Sequence, residues 1–136
     1  MPKGNRGGKN GKTTGYYKTV GEFDGAEIIT PIAGGGSGSL PRMSNSPNAI
    51  YIFKNAKGQM KSLGIYNDKR ELEKEFNIGH SHKDRKKNKI VRNFKKGVVH
   101  VHIIRGGRNS NTRYMTKKEI KKYGKYIEFM GGRTIE

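Results

Sequence analysis

The stretch Val98-Val99-His100-Val101-His102-Ile103-Ile104 constrains the fold more than any other, because its seven residues carry no turn former and are rich in β-branched side chains. Successive side chains of a strand point to opposite faces, so Val99, Val101 and Ile103 share one face and Val98, His100, His102 and Ile104 share the other. One face is apolar and the other titratable. A second His-x-His, His80-Ser81-His82, lies upstream, and the two pairs hold all 4 histidines of the chain. On a strand the two rings of either pair sit on one face, roughly 7 Å apart at about 3.3 Å rise per residue. An antiparallel return through the link from Gly79 to Gly97 brings a ring of the first pair within about 8 Å of a ring of the second.

That link is basic: Lys83, Arg85, Lys86, Lys87, Lys89, Arg92, Lys95 and Lys96 stand against Asp84 alone. Over the whole chain 29 Lys and Arg oppose 11 Asp and Glu, a net charge of +18. Such an excess favours a polyanionic partner, since neutralising phosphates releases their condensed counterions. Nucleic acid, RNA or DNA, is the expected partner, and Arg105, Arg108, Lys118 and Lys122 join the eight cations of the link as candidate phosphate contacts. A membrane partner is not expected. The charge is not laid over a long apolar surface, no run approaches the roughly 20 apolar residues that span a bilayer, and no signal-type apolar segment follows Met1-Pro2-Lys3-Gly4. The chain is therefore expected in the cytoplasm at synthesis. Zero cysteines exclude disulfides, thiolate catalysis and cysteine-based zinc sites together.

With 136 residues, 31% of them hydrophobic, and a mean hydropathy of −0.91, the chain suits one domain with a small core and polar appendages. Residues 1–20 read as a disordered basic arm, because Gly-rich sequence of this kind buries too little apolar surface to offset its chain entropy. Residues 21–48 read as an irregular, turn-rich linker with an edge strand near Ala26–Ile32. Its Gly34-Gly35-Gly36-Ser37-Gly38-Ser39 run lacks the Gly-Lys-Ser/Thr ending and following helix of a phosphate loop. Residues 49–136 read as an α+β domain. Ala49–Lys54 and Gln59–Tyr66 form a hairpin about Asn55-Ala56-Lys57-Gly58. From 70 to 78, Leu72, Phe76 and Ile78 alternate with Glu71, Glu73, Glu75 and Asn77, and the same parity sets His80 and His82 on the face of Phe76. Arg105–Asn111 reads as a loop.

Thr116-x-x-Glu119 is a capping box that opens a helix near 117–130, and Gly131 suits its end. At about 100° per residue Ile120, Tyr123, Ile127 and Met130 share one arc, while Lys117, Lys118, Lys121, Lys122 and Lys125 share the opposite one. The expected fold class is α+β: an antiparallel β-meander of about four strands over 49–104, a C-terminal helix and the disordered basic N-terminal arm. Ile50, Ile52, Leu63, Ile65, Phe76, Val99, Val101, Ile120 and Ile127 are its expected core.

Three readings of the histidines stay open. In one, the rings only decorate a half-exposed sheet and hydrogen-bond to their neighbours. In the second, His80, His82, His100 and His102 are catalytic residues of a metal-independent ribonuclease that needs no cofactor. A neutral imidazole takes the proton of the ribose 2′-hydroxyl, a protonated one returns a proton to the leaving 5′-oxygen, and Lys and Arg stabilise the charge on phosphorus. In the third, one divalent metal sits at the histidine cluster, with Asp84 or Glu75 near in sequence, and the enzyme is a metal-dependent nuclease.

Leu40-Pro41, Ser44-Asn45-Ser46-Pro47-Asn48, Gly58, Ile65-Tyr66-Asn67, Gly79-His80-Ser81-His82 and Val99-His100-Val101-His102 together resemble small proteins encoded in phages and prophages of Firmicutes. More loosely, they resemble the polymorphic-toxin-like C-terminal extensions of phage minor capsid proteins. The resemblance spans about half the chain and implies a mobile-element origin. It implies a toxin-like nuclease in the host cytoplasm, or a virion-associated protein, with a phage structural or immunity protein as partner. Two function classes follow: a nucleic-acid-binding, toxin-like nuclease, and a non-catalytic virion or packaging-associated protein that binds nucleic acid by charge.

Overall fold

Asp24 and Gly25 both adopt left-handed backbone, with φ of 48° and 89°, the two-residue turn whose twist matches that of paired strands. The turn joins β1 (Tyr17–Phe23) to β2 (Ala26–Pro31) as an antiparallel hairpin. β2 pairs in parallel with β3 (Ile50–Lys54), and β4 (Met60–Tyr66) and β5 (Leu72–Ile78) continue antiparallel. A separate two-stranded ribbon follows, β6 (His82–Asp84) with β7 (Lys89–Arg92). The chain then returns beside β5 as β8 (Val99–Arg105) and ends the sheet with β9 (Arg108–Tyr114), before α1 (Lys117–Met130). The computed structural model describes residues 17–32, 39–78, 82–84, 89–92 and 97–134, with 82–84 and 89–92 described by their backbone alone.

A meander of about four strands is therefore not what this chain builds. The main sheet has seven strands in the order β1-β2-β3-β4-β5-β8-β9, and one neighbouring pair is parallel. Two features account for the difference. The Asp24-Gly25 hairpin draws residues 17–31 into the sheet, so β1 includes 17–20 and β2 is an interior strand rather than an edge. At the other end, Arg105–Asn111 is not a loop: only Gly106 and Gly107 turn, and Arg108–Tyr114 is an edge strand. Its first four residues are exposed, so its strand character comes from backbone pairing with β8 and not from apolar alternation. Residues 1–16 of the expected arm lie outside the described residues.

One sheet face carries α1. Ile52, Leu63, Ile65, Phe76, Val99 and Val101 are buried with Tyr123, Tyr126, Ile127 and Met130 of the helix, and Ile50 and Ile120 adjoin them, so every residue of the expected core meets there. The hairpin turn is tied to the same helix, for the Tyr126 hydroxyl donates to the Asp24 carbonyl at 2.7 Å and Lys125 pairs with the Asp24 carboxylate at 2.6 Å. The other face holds a second cluster of Tyr17, Ile29, Leu40, Tyr51, Phe53 and Tyr66. Leu72 packs against this second cluster and departs from the parity of Phe76. The cause is a bulge: Ile65 opposes Lys74 while Tyr66 opposes Leu72, so Glu73 is an extra residue that reverses the side-chain direction.

The helix begins as its capping box requires. Thr116 Oγ1 accepts from the Glu119 N–H at 3.2 Å, the Glu119 carboxylate accepts from the Thr116 N–H at 2.9 Å, and Gly131 closes the far end at φ 92°. The Glu119 carboxylate is buried and also accepts from Arg113 of β9, at 2.7 and 3.0 Å, and from Lys74 of β5 at 2.7 Å. Burial alone would raise its pKa, but the donors on Arg113, Lys74 and Thr116 outweigh burial and hold it at about 2. A pKa below the unfolded value of about 4.3 means stability that is fully present above that pH and is lost as the pH falls towards 2. The loss amounts to about 3 kcal/mol at most. Urea unfolding at pH 6 and pH 3 should show this loss in the parent and much less of it in Glu119→Gln, and an equal loss in both would assign it elsewhere.

Candidate functional site

Val99 and Val101 lie in the core beneath α1, so His100 and His102, which alternate with them, face the other side of the sheet. The register sets two rows of side chains across that face. Ser62 of β4, Asn77 of β5, His100 of β8 and Tyr114 of β9 are successive partners in one row, and Gly64, Glu75, His102 and Thr112 in the next. Glu75 and His102 are therefore directly opposed on neighbouring strands. Opposed Cβ atoms in such a pair lie about 5 Å apart.

The two rings of the β8 pair differ in setting. His100 is fully buried, His102 is half-buried, and their centroids are 4.9 Å apart with the rings edge to face at 83°. His102 Nδ1 lies 2.9 Å from Thr112 Oγ1 and 3.0 Å from Asn109 Nδ2, and the Asn109 amide also donates to Thr112 Oγ1 at 3.0 Å. A hydroxyl can donate to a bare Nδ1 or accept from a protonated one, so Thr112 holds the ring in either charge state. In the adjoining row the Ser62 hydroxyl donates to Asn77 Oδ1 at 2.7 Å. Burial pushes the Glu75 carboxyl above its ordinary pKa, and a hydrogen bond from the Asn77 side chain offsets part of that rise. The face thus carries a carboxyl of raised proton affinity opposite an oriented imidazole.

The other sequence-derived candidates are distributed as follows. His80, Arg85, Lys86, Lys87, Lys95 and Lys96 lie outside the described residues. His82, Lys83, Lys89 and Arg92 belong to the β6–β7 ribbon, with His82 opposite Arg92, and their side chains are likewise outside the description. The expectation that His80 and His82 continue the face of Phe76 lies outside the described residues, which break off after Ile78. The meeting of the two histidine pairs falls outside the described residues. Arg105 and Arg108 flank the β8–β9 turn as cross-strand partners. Lys118 and Lys122 are exposed on α1, which lies on the face of the sheet away from His100 and His102, and Lys122 sits 5.4 Å from the Tyr123 ring centroid. Among the described residues no three His, Asp or Glu side chains are grouped to hold a metal ion.

Ser62, Asn77, Asn109 and Thr112 are residues of this face that the sequence does not mark. Asn77 could have been found beside Glu75 as the polar parity of β5. Asn109 and Thr112 could not, because they reach His102 only through the hairpin pairing of β8 with β9, and the first residues of β9 show no strand signal. Comparison with known protein families, curated proteins and solved structures gives no match.

The different settings of the two rings make a stability contrast. His100→Ala should cost about 3 kcal/mol in urea unfolding by emptying a buried site, and His102→Ala less than about 1 kcal/mol. Equal losses would contradict the placement of the two rings.

Proposed function

We propose that the protein binds RNA through its phosphates and cleaves it by proton transfer at Glu75 and His102. The observation that carries this reading is the register that opposes a carboxyl of raised proton affinity to an anchored imidazole, in a chain with a net charge of +18. Pairs of titratable groups whose surroundings tune them separately are the usual form of an acid–base site.

In this mechanism the Glu75 carboxylate takes the proton of a ribose 2′-hydroxyl as the 2′-oxygen attacks phosphorus. His102, protonated, gives the proton on Nε2 to the departing 5′-oxygen as its bond to phosphorus breaks, leaving a 2′,3′-cyclic phosphate and a free 5′-hydroxyl. A raised pKa strengthens Glu75 as a base, and imidazole is the side-chain type suited to act as the acid near neutral pH. The Thr112 hydroxyl can accept from Nδ1 of the protonated ring, fixing it there and leaving the exchange to Nε2. His100, packed edge to face against it, is a positioning residue.

The test is cleavage of single-stranded RNA by the purified protein. His102→Ala and Glu75→Gln should each lower kcat by about a hundredfold or more, the parent should show a bell-shaped pH profile, and EDTA should leave its rate unchanged. Glu75→Gln also carries a stability signature. A carboxyl whose folded pKa is raised contributes its full stability below its unfolded pKa and loses it as the pH rises through the folded pKa, so that once ionised its burial is a cost. The amide removes the cost, so this variant should melt above the parent at neutral pH while losing activity. Full activity in Glu75→Gln would overturn the assignment. Activity lost in EDTA and restored by zinc or manganese would favour a metal at the histidines, and binding without cleavage would favour the virion or packaging-associated protein.

A further inference from the structure

Arg42 is not among the cations that the sequence singles out, yet its backbone is held on both sides. The Leu72 N–H donates to its carbonyl at 2.9 Å, the Tyr66 hydroxyl donates to the carbonyl of the preceding Pro41 at 2.6 Å, and the following Met43 bridges to Glu71. The guanidinium reaches the β8–β9 turn. A Cβ added at Gly107 would stand 2.6 Å from Arg42 Nη1, so the arginine lies where any side chain at that position would be, and Gly107 is also in the left-handed region at φ 80°. Arg105 and Arg108, the residues on either side of the two turn glycines, are opposed in the register.

All three arginines are exposed, and among the described residues no carboxylate lies within ion-pair distance of any of them. Glu71, the acid nearest in the pairing, accepts instead from Asn67 Nδ2 at 3.2 Å. A guanidinium held at the turn without counter-charge is open to an anion. The residue after Arg108 is Asn109, whose amide contacts His102. This corner is therefore continuous with the histidine row.

We propose that Arg42 binds a phosphate of the RNA strand flanking the one cleaved at His102. The inference rests on the reading of this face as an RNA site, but its test is independent of cleavage. Binding of a labelled single-stranded RNA is measured over a range of salt with the full-length His102→Ala protein, which holds the strand without cutting it. Adding Arg42→Ala should weaken binding about tenfold at low salt and reduce the slope of log K against log salt by about 0.7, the value for one phosphate of a single strand. Arg42→Lys should recover most of the slope, because the charge is kept. DNA of the same length should show the same loss, since a phosphate contact reads neither base nor sugar. In the cleaving protein Arg42→Ala should raise KM and leave kcat nearly unchanged, as expected of a contact away from the reacting bond. An unchanged slope in folded Arg42→Ala protein, or a loss confined to one base sequence, would overturn the inference. A protein that cuts no RNA but shows the slope change would overturn the cleavage reading alone.

Discussion

The Glu119 carboxylate closes the first turn of α1 and accepts from Lys74 of β5 and Arg113 of β9, the two strands that flank β8. Its two cationic partners stand opposite Ile103 and Val101 in the register, so the contact straddles the histidine strand from the helix side. Burying one carboxylate is costly, and here two charged groups and a backbone N–H offset the cost. The consequence reaches the far face. With the helix start fixed over β5, β8 and β9, Val99 and Val101 are the side chains beneath α1, and His100 and His102 have only the other face to occupy.

That other face is divided. Over β1 to β4 it is aromatic, with Tyr17 edge-on to Phe53 at 6.4 Å and Tyr51 beside Tyr66 at 5.0 Å, while over β4, β5, β8 and β9 it carries Ser62, Glu75, Asn77, His100, His102 and Thr112. The border runs through Gly64, where a Cβ would stand 3.0 Å from both Leu40 and Tyr66. Leu40 and Pro41 lie across this narrow place. Burial pushes the Tyr66 hydroxyl well above its ordinary pKa, so it stays protonated and donates to Pro41, and the strap ends with Arg42 against the β8–β9 turn. A single hydroxyl thus links the aromatic half to Arg42 at the edge of the polar half.

What could be read from the sequence divides along the range of the interactions responsible. α1 was legible because its signals are local: Thr116 with Glu119, the arc of Ile120, Tyr123, Ile127 and Met130, and Gly131. β8 was legible because its alternation is unbroken. β9 was not, since Arg108-Asn109-Ser110-Asn111 has neither apolar residues nor alternation and becomes a strand only by pairing with a neighbour already in place. β1 was hidden for a related reason: a bulge between Thr19 and Gly21 interrupts its period. The parallel step from β2 to β3 has no local signature at all. In the candidate site, the same limits apply residue by residue. The pairing of His100 with His102 follows from their spacing, and the polar side of Glu75 from the parity of β5, whereas the anchoring of His102 by Thr112 and Asn109 depends on a strand that the sequence presents as a loop.

Glu75 and Glu119 are the same residue type on opposite faces of one sheet, and burial acts to raise both. Glu119 receives donors from Arg113, Lys74 and Thr116 and is held at about 2, so at neutral pH it is a settled anion with no proton to exchange. Glu75 is offset in part by the Asn77 side chain and stays raised, which makes its anion the stronger base and its burial a cost. A fold does not need the second arrangement, because an apolar or amide side chain opposite His102 would remove the cost. The contributions of the two carboxyls to folding run in opposite directions with pH: acid removes the stabilisation at Glu119 and relieves the strain at Glu75. Structural carboxylates are the ones that neighbours hold down, and a carboxyl left high beside an anchored imidazole is where proton chemistry has the most to gain.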